Sequence, residues 1–123
     1  MHDIMPPVGT DAQLIRSYGP EGFRIGNAEY KTHVLVLPNA TYPWNGEFTV
    51  EALAPLLNTI PPTEIFLLGT GKRHEMVDAT FRKTLKARGI GSDTMDTGAA
   101  CRTFNILLGE GRRVATALRL QPN

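Results

Sequence analysis

Two short segments of this chain hold side chains that could do chemistry. The first, Asp96-Thr97-Gly98-Ala99-Ala100-Cys101-Arg102-Thr103-Phe104-Asn105, carries the only cysteine of the 123 residues. A helix beginning at Asp96 or Thr97 sets a thiol, a guanidinium and a carboxamide in its first turns, where unpaired backbone N–H groups also point. A thiolate near a helix N-terminus and beside Arg102 has a lowered pKa, the usual route to a nucleophilic cysteine. Such a nucleophile needs a base. Of the three histidines, His2, His33 and His74, only His74 is placed to serve, and only if its loop converges on Cys101. The competing reading is a buried structural cysteine, because a free thiol behaves as a small apolar side chain.

The second segment is Leu68-Gly69-Thr70-Gly71, followed by Lys72, Arg73 and His74. It follows an apolar run, and open α/β sheets place their ligand crevice at the end of such a strand. Glycines allow close backbone approach and the three basic neighbours offer donors, so a small anionic ligand is one reading. A structural tight turn is the other. The dinucleotide fingerprint fails because His74 stands where its third glycine should be, and no Gly-Lys-Ser or Gly-Lys-Thr supports a P-loop. One cysteine and scattered histidines give no metal spacing, so neither metal nor cofactor is expected. Trp44, in Tyr42-Pro43-Trp44-Asn45-Gly46, reads as a rim or core residue or as an exposed anchor for a protein partner.

These groups must be positioned by regular elements, and hydrophobic periodicity supplies them. Residues 1–12, with Pro6, Pro7 and Gly9, read as an extended arm, and 13–123 as a single α/β domain. Leu14 to Tyr18 suits a strand, and Phe23-Arg24-Ile25, Gly26-Asn27, Ala28-Glu29-Tyr30 reads as a tight hairpin. His33 to Leu37 and Glu64 to Leu68 are buried-strand signatures. Between them lies a polar, aromatic loop from Asn39 to Phe48, then a helix capped by Thr49 and running to about Asn58, short or kinked because Pro55 lacks the donor a helix interior needs. Strand, helix, strand predicts that the two apolar strands form a parallel pair. A helix from Asp78 to Arg88 closed by Gly89, a strand from Ile90 to Met95, a helix from Thr97 to Leu108 and a last strand within Arg112 to Leu120 complete an α/β layered domain with a mixed sheet and an N-terminal β hairpin region.

The helical wheel refines the cysteine segment. Ala100, Phe104, Leu107 and Leu108 form an apolar stripe, with Ala99 and Ile106 nearly opposite, which predicts a sandwiched helix. Gly98, Arg102, Asn105 and Gly109 form a narrow polar strip with Cys101 at its edge. Asp96 or Thr97 caps the helix, Arg102 has a structural alternative as an ion-pair partner of Asp96, and Asn105 as a bridge between backbone groups.

The bulk numbers exclude whole classes. Net charge is +1, which argues against a nucleic-acid partner. Residues 1–71 hold 3 basic and 7 acidic side chains and residues 72–123 hold 10 and 5, so the halves carry −4 and +5. That asymmetry suits either ordinary solvated faces or a basic docking patch, and the cations Lys83, Lys86 and Arg88 also favour the negative end of their helix. A lone cysteine, no secretory signal and no apolar run approaching the ~20 residues of a membrane span point to a soluble, cytoplasmic protein.

Val36-Leu37-Pro38 with Trp44, Leu68-Gly69-Thr70-Gly71, and the Asp96 to Asn105 segment through Gly111-Arg112-Arg113-Val114-Ala115 resemble, in that order, one small family of unknown biochemical function. Its human members include a mitochondrial respiratory complex I assembly factor and an adipogenesis-associated cytosolic protein with an Mth-type domain. The resemblance covers the chain from about Leu14 onward and implies a three-layer β/α arrangement around a central mixed sheet, in a compact bacterial form. It carries over no catalytic residue. It implies a role in assembling or maintaining membrane-bound respiratory complexes, with membrane-complex subunits as protein partners. The leading reading of the chain is accordingly a non-enzymatic binding or assembly protein, and the residues themselves offer the glycine loop and the Arg102 strip as its small-ligand or partner surface. The alternative is a small enzyme or redox-active protein using Cys101.

Overall fold

A computed structural model of the chain describes residues 13–121. The predicted arm, residues 1–12, lies outside the described residues. β1 (Ile15–Gly19), β2 (Gly22–Ile25) and β3 (Ala28–Tyr30) form an antiparallel three-stranded sheet. Gly26 and Asn27 make the expected two-residue turn between β2 and β3. Gly26 adopts φ 58°, the positive value that the first central residue of a type II′ hairpin requires.

The larger sheet has five strands. β4 (His33–Leu37) and β5 (Ala40–Trp44) are antiparallel neighbours, and the order runs β5, β4, β8 (Val114–Leu118), β6 (Ile65–Gly69), β7 (Gly91–Met95). β8 is antiparallel to β4 and parallel to β6, which is in turn parallel to β7. The sheet is therefore mixed. The predicted parallel pairing of His33–Leu37 with the strand after Pro62 is overturned, because β8 lies between them and β4 runs the other way. The cause is β5: Ala40–Trp44, read as loop, is a strand that reverses the chain once more. Pro43 disguises it in the sequence, yet β5 is an edge strand, where a missing N–H costs no ladder bond.

The helix expected after Thr49 shrinks to a 3-10 turn at Ala54–Asn58 with Pro55 in its first positions. Thr49 Oγ1 still accepts the Ala52 N–H at 3.1 Å, so the cap forms while the α-helix does not. α1 (Ala79–Ala87) and α2 (Thr97–Gly109) begin at Asp78 and Asp96, whose carboxylates accept the N–H groups of Thr80 and Ala99.

Alternation along β4, β6 and β8 feeds two cores. Val34, Val36, Leu67, Val114 and Leu118 pack beneath α2 and the small sheet, while Leu35, Leu37, Phe66, Leu68, Ala115 and Ala117 pack beneath α1 and the Leu53–Leu56 segment. The molecule has three layers. From β6 the chain steps outward through α1 to β7, then back across β6 through α2 to β8. Two crossovers of one hand moving in opposite directions must lie on opposite faces, which is where α1 and α2 are found. The last strand in sequence is thereby central: all five residues of β8 are buried.

Candidate functional site

The loops after β6 and β7 leave toward opposite faces, so their junction is the place where an open α/β sheet leaves its crevice. Gly69, Thr70 and Gly71 stand there, as the sequence suggested, and they are buried. The crevice is stitched by the chain itself. The Thr70 N–H donates to the Met95 carbonyl at 2.9 Å, the Gly71 N–H donates to Thr97 Oγ1 at 2.8 Å, and the Thr97 N–H donates to the Gly71 carbonyl at 2.8 Å. Thr97 Oγ1 in turn donates to the Arg119 carbonyl at 2.8 Å, tying the start of α2 to the end of β8. The Gly69 requirement is close packing: a Cβ there would lie 3.0 Å from Leu118 Cδ2 and 3.2 Å from Ala100 Cβ, so glycine lets α2 settle on the sheet. The amides of Thr70 and Gly71 are thus engaged with protein acceptors. Lys72, Arg73 and His74 follow on the exposed rim.

Cys101 is 1% exposed, in the apolar cluster with Ile15, Phe23 and Phe104. Burial pushes its thiol up to about 12, against a smaller opposing pull from Arg102. That is the reverse of what a nucleophile needs at neutral pH: position near the helix start is outweighed by desolvation of the thiolate. His74 is exposed while Cys101 is sealed.

The polar strip of α2 is its seam with β1. Asn105 accepts the Ile15 N–H through Oδ1 and donates to the Ile15 carbonyl through Nδ2, both at 2.9 Å. This is the backbone bridge anticipated as one of its roles. Arg102 Nη1 donates to Tyr18 Oη at 2.6 Å, and Tyr18 lies over Gly98, whose added Cβ would meet the Tyr18 ring at 3.1 Å. Arg102 therefore reaches across to the small sheet. Asp96 spends its carboxylate on the cap. The sandwiched helix is also corrected: Ile106 is 61% exposed, because the sheet and β1 cover two sides of α2 and leave a third open. Arg102 remains solvent-accessible at the edge of this seam, and no local sequence signal points to Tyr18 beside it, since the two residues lie 84 positions apart.

Trp44 is 5% exposed, donates its indole N–H to the Glu47 carbonyl at 2.8 Å, and packs against Phe48 and His33. It is a core residue, not a surface anchor. Arg119, absent from the sequence reading, organises the same end of the sheet. Its guanidinium lies 4.5 Å from the Phe48 ring centroid, donates to the Gly46 carbonyl and pairs with Glu75. His33 Nδ1 accepts the Leu120 N–H at 2.9 Å, and burial, then the Arg119 charge, hold its pKa below the usual histidine value. Among the described residues no three His, Cys, Asp or Glu side chains converge as a metal site demands, and no helix is long and apolar enough to cross a membrane.

Comparison with known proteins fits this architecture. The Danio rerio protein named NADH dehydrogenase (ubiquinone) 1 alpha subcomplex assembly factor 3 is 38% identical over 119 residues, covering 94% of this chain and 68% of that protein. The chain spans 60% of the length of the frog and human proteins of the same name. A crystal structure described as an outer membrane protein from Bartonella henselae superposes with a TM-score of 0.82 at 33% identity, over 91% of this chain and 98% of that one. A Bordetella pertussis solution structure described as a Mth938-like domain, 24% identical, shares the fold with a TM-score of 0.80 over 100% of this chain and 94% of its own. A family model matches residues 15–119, from the first strand to the residue after the last, and the chain therefore belongs to the protein family of unknown function DUF498/DUF598.

Proposed function

We propose that this chain is a non-enzymatic binding protein of the cytoplasm that assists the assembly of a respiratory NADH dehydrogenase. The observation that carries the reading is the 38% identity to a named assembly factor along 94% of the chain. The buried, protonated Cys101 thiol supports it, because the alternative of cysteine chemistry loses its nucleophile. The partner-facing surface in this proposal is the accessible edge of the α2–β1 seam, Arg102 with Tyr18, together with the exposed Lys72-Arg73-His74 rim. A small anion is the second occupant that this rim suits.

The test is made in the source cell. Deleting the gene is expected to lower the amount of assembled NADH dehydrogenase on native gels, and the wild-type chain to restore it. Cys101→Ala should restore it equally, whereas Arg102→Glu should restore it less. Unchanged assembly after deletion overturns the proposal, and failure of a folded Cys101→Ala chain to restore assembly returns the thiol to the mechanism.

A further inference from the structure

At the opposite end of the large sheet from the glycine loop, a cleft of about 780 Å³ opens between the β4–β5 turn, the 3-10 turn and the start of β8. We propose that it is the docking site for an extended segment of a protein partner carrying an aliphatic or aromatic side chain beside an acidic one. This rests on the reading of the chain as a binding protein and adds a second surface, apart from the Arg102–Tyr18 edge, with the chemistry of what it takes.

Three features point to that occupant. The walls are preformed: Pro38, Pro55 and Pro61 line the cleft, and proline has no side-chain rotamers to lose on binding. The lip is apolar and outward. Ile60 is 90% exposed and Tyr42 42% exposed. A small molecule inside the cleft would leave so outward an Ile60 in water, whereas a protein segment laid across the lip covers it, with the aromatic ring as the kind of anchor that dominates interfaces. The rim is cationic. Arg112 Nε donates to Glu64 Oε1 at 3.0 Å, while Arg113 Nη2 donates to Glu64 Oε2 at 3.4 Å and its Nε to the Pro62 carbonyl at 2.8 Å. Two guanidiniums share one carboxylate, and both cations are about half exposed, so the rim keeps one net positive charge turned to solvent. An apolar centre edged by arginine is the usual anatomy of a protein interface, and an acidic residue is its complement.

The experiment pans phage-displayed random heptapeptides on the full chain. Enriched sequences are expected to pair an apolar or aromatic residue with Asp or Glu. Their synthetic versions should bind roughly tenfold or more weakly to Ile60→Asp and to the double variant Arg112→Gln, Arg113→Gln, and equally well to Ile106→Asp, an exposed apolar position elsewhere. Glu64→Gln, which removes the negative charge the two guanidiniums share, should tighten binding. Circular dichroism and Trp44 fluorescence confirm that each variant is folded. The proposal is overturned if no sequence is enriched, if enriched sequences lack acidic residues, if Ile60→Asp binds them unchanged, or if hexanoate binds the cleft while peptides do not. Normal NADH dehydrogenase assembly in deleted cells with peptide binding intact removes the respiratory assignment alone; an assembly defect without peptide binding removes the cleft alone.

Discussion

Thr97→Val tests whether one hydroxyl closes the crevice. The substitution keeps the shape of the side chain and removes the oxygen that accepts from Gly71 and donates to Arg119. Thr97 is fully buried, so water has no ready access to the groups left behind. An unsatisfied buried backbone group costs about 1–3 kcal/mol. The Gly71 N–H falls in that range, whereas the Arg119 carbonyl lies near the surface and falls at its lower end, giving about 2–4 kcal/mol together. Stability of a domain this size is of order 5–15 kcal/mol, so the loss is a large fraction of it. Urea unfolding followed by the single, buried Trp44 reads the change directly. With a slope of about 2 kcal/mol per molar urea, the midpoint should fall by about 1–2 M. Thr97→Ser keeps the hydroxyl and should lose only about 1 kcal/mol through the missing methyl. A Val variant within about 0.5 kcal/mol of wild type, or a Ser variant as unstable as Val, would refute the reasoning.

Asn105→Asp keeps an acceptor for the Ile15 N–H but turns a second acceptor on the Ile15 carbonyl, so it should cost about 1–3 kcal/mol at neutral pH and speed hydrogen exchange of the Ile15 amide. Unchanged exchange would show that β1 is held otherwise. Cys101, with its thiol pushed up to about 12, should be ionised to only about one part in ten thousand at pH 8 and, even at saturating disulfide reagent, react no faster than the protein opens. Native-state labelling faster than unfolding would contradict its burial. His33 is held neutral in the fold below its ordinary value of 6.5, so the unfolded chain takes up a proton that the native chain refuses. Its contribution is complete above pH 6.5 and is lost as pH falls from there through the lower native value; His33→Asn should flatten the urea midpoint across that window, and an unaltered slope would exclude His33 as its source.

The elements that could be read from the chain are those whose signal is local. Asp78 and Asp96 cap their helices because a carboxylate two or three residues ahead of a free N–H needs no tertiary help. β4 and β6 announce themselves as continuous apolar runs because both faces are covered. β5 was hidden because its residues are tolerated by virtue of an edge position, which is a property of the sheet. The site divides the same way. Gly69 to Gly71 stand at the strand end, as their sequence context predicts, but the groups that fill their crevice, Thr97 and the Arg119 carbonyl, come from 26 residues away and from the end of β8.

By itself the sequence determined an α/β mixed sheet, two capped helices and the hairpin turn at Gly26 and Asn27, each of which depends on backbone preference or periodicity within a few residues. Membership of one family rests instead on the resemblance of motifs spread in order along the chain. Only the tertiary structure decided that β8 is central, that the Arg102 and Asn105 strip is a seam with β1, that Cys101 is sealed, and that an apolar, arginine-edged cleft opens beside Ile60. These are outcomes of which surfaces meet. Desolvation of a thiol or the sharing of Glu64 between Arg112 and Arg113 exists only once distant segments are brought together.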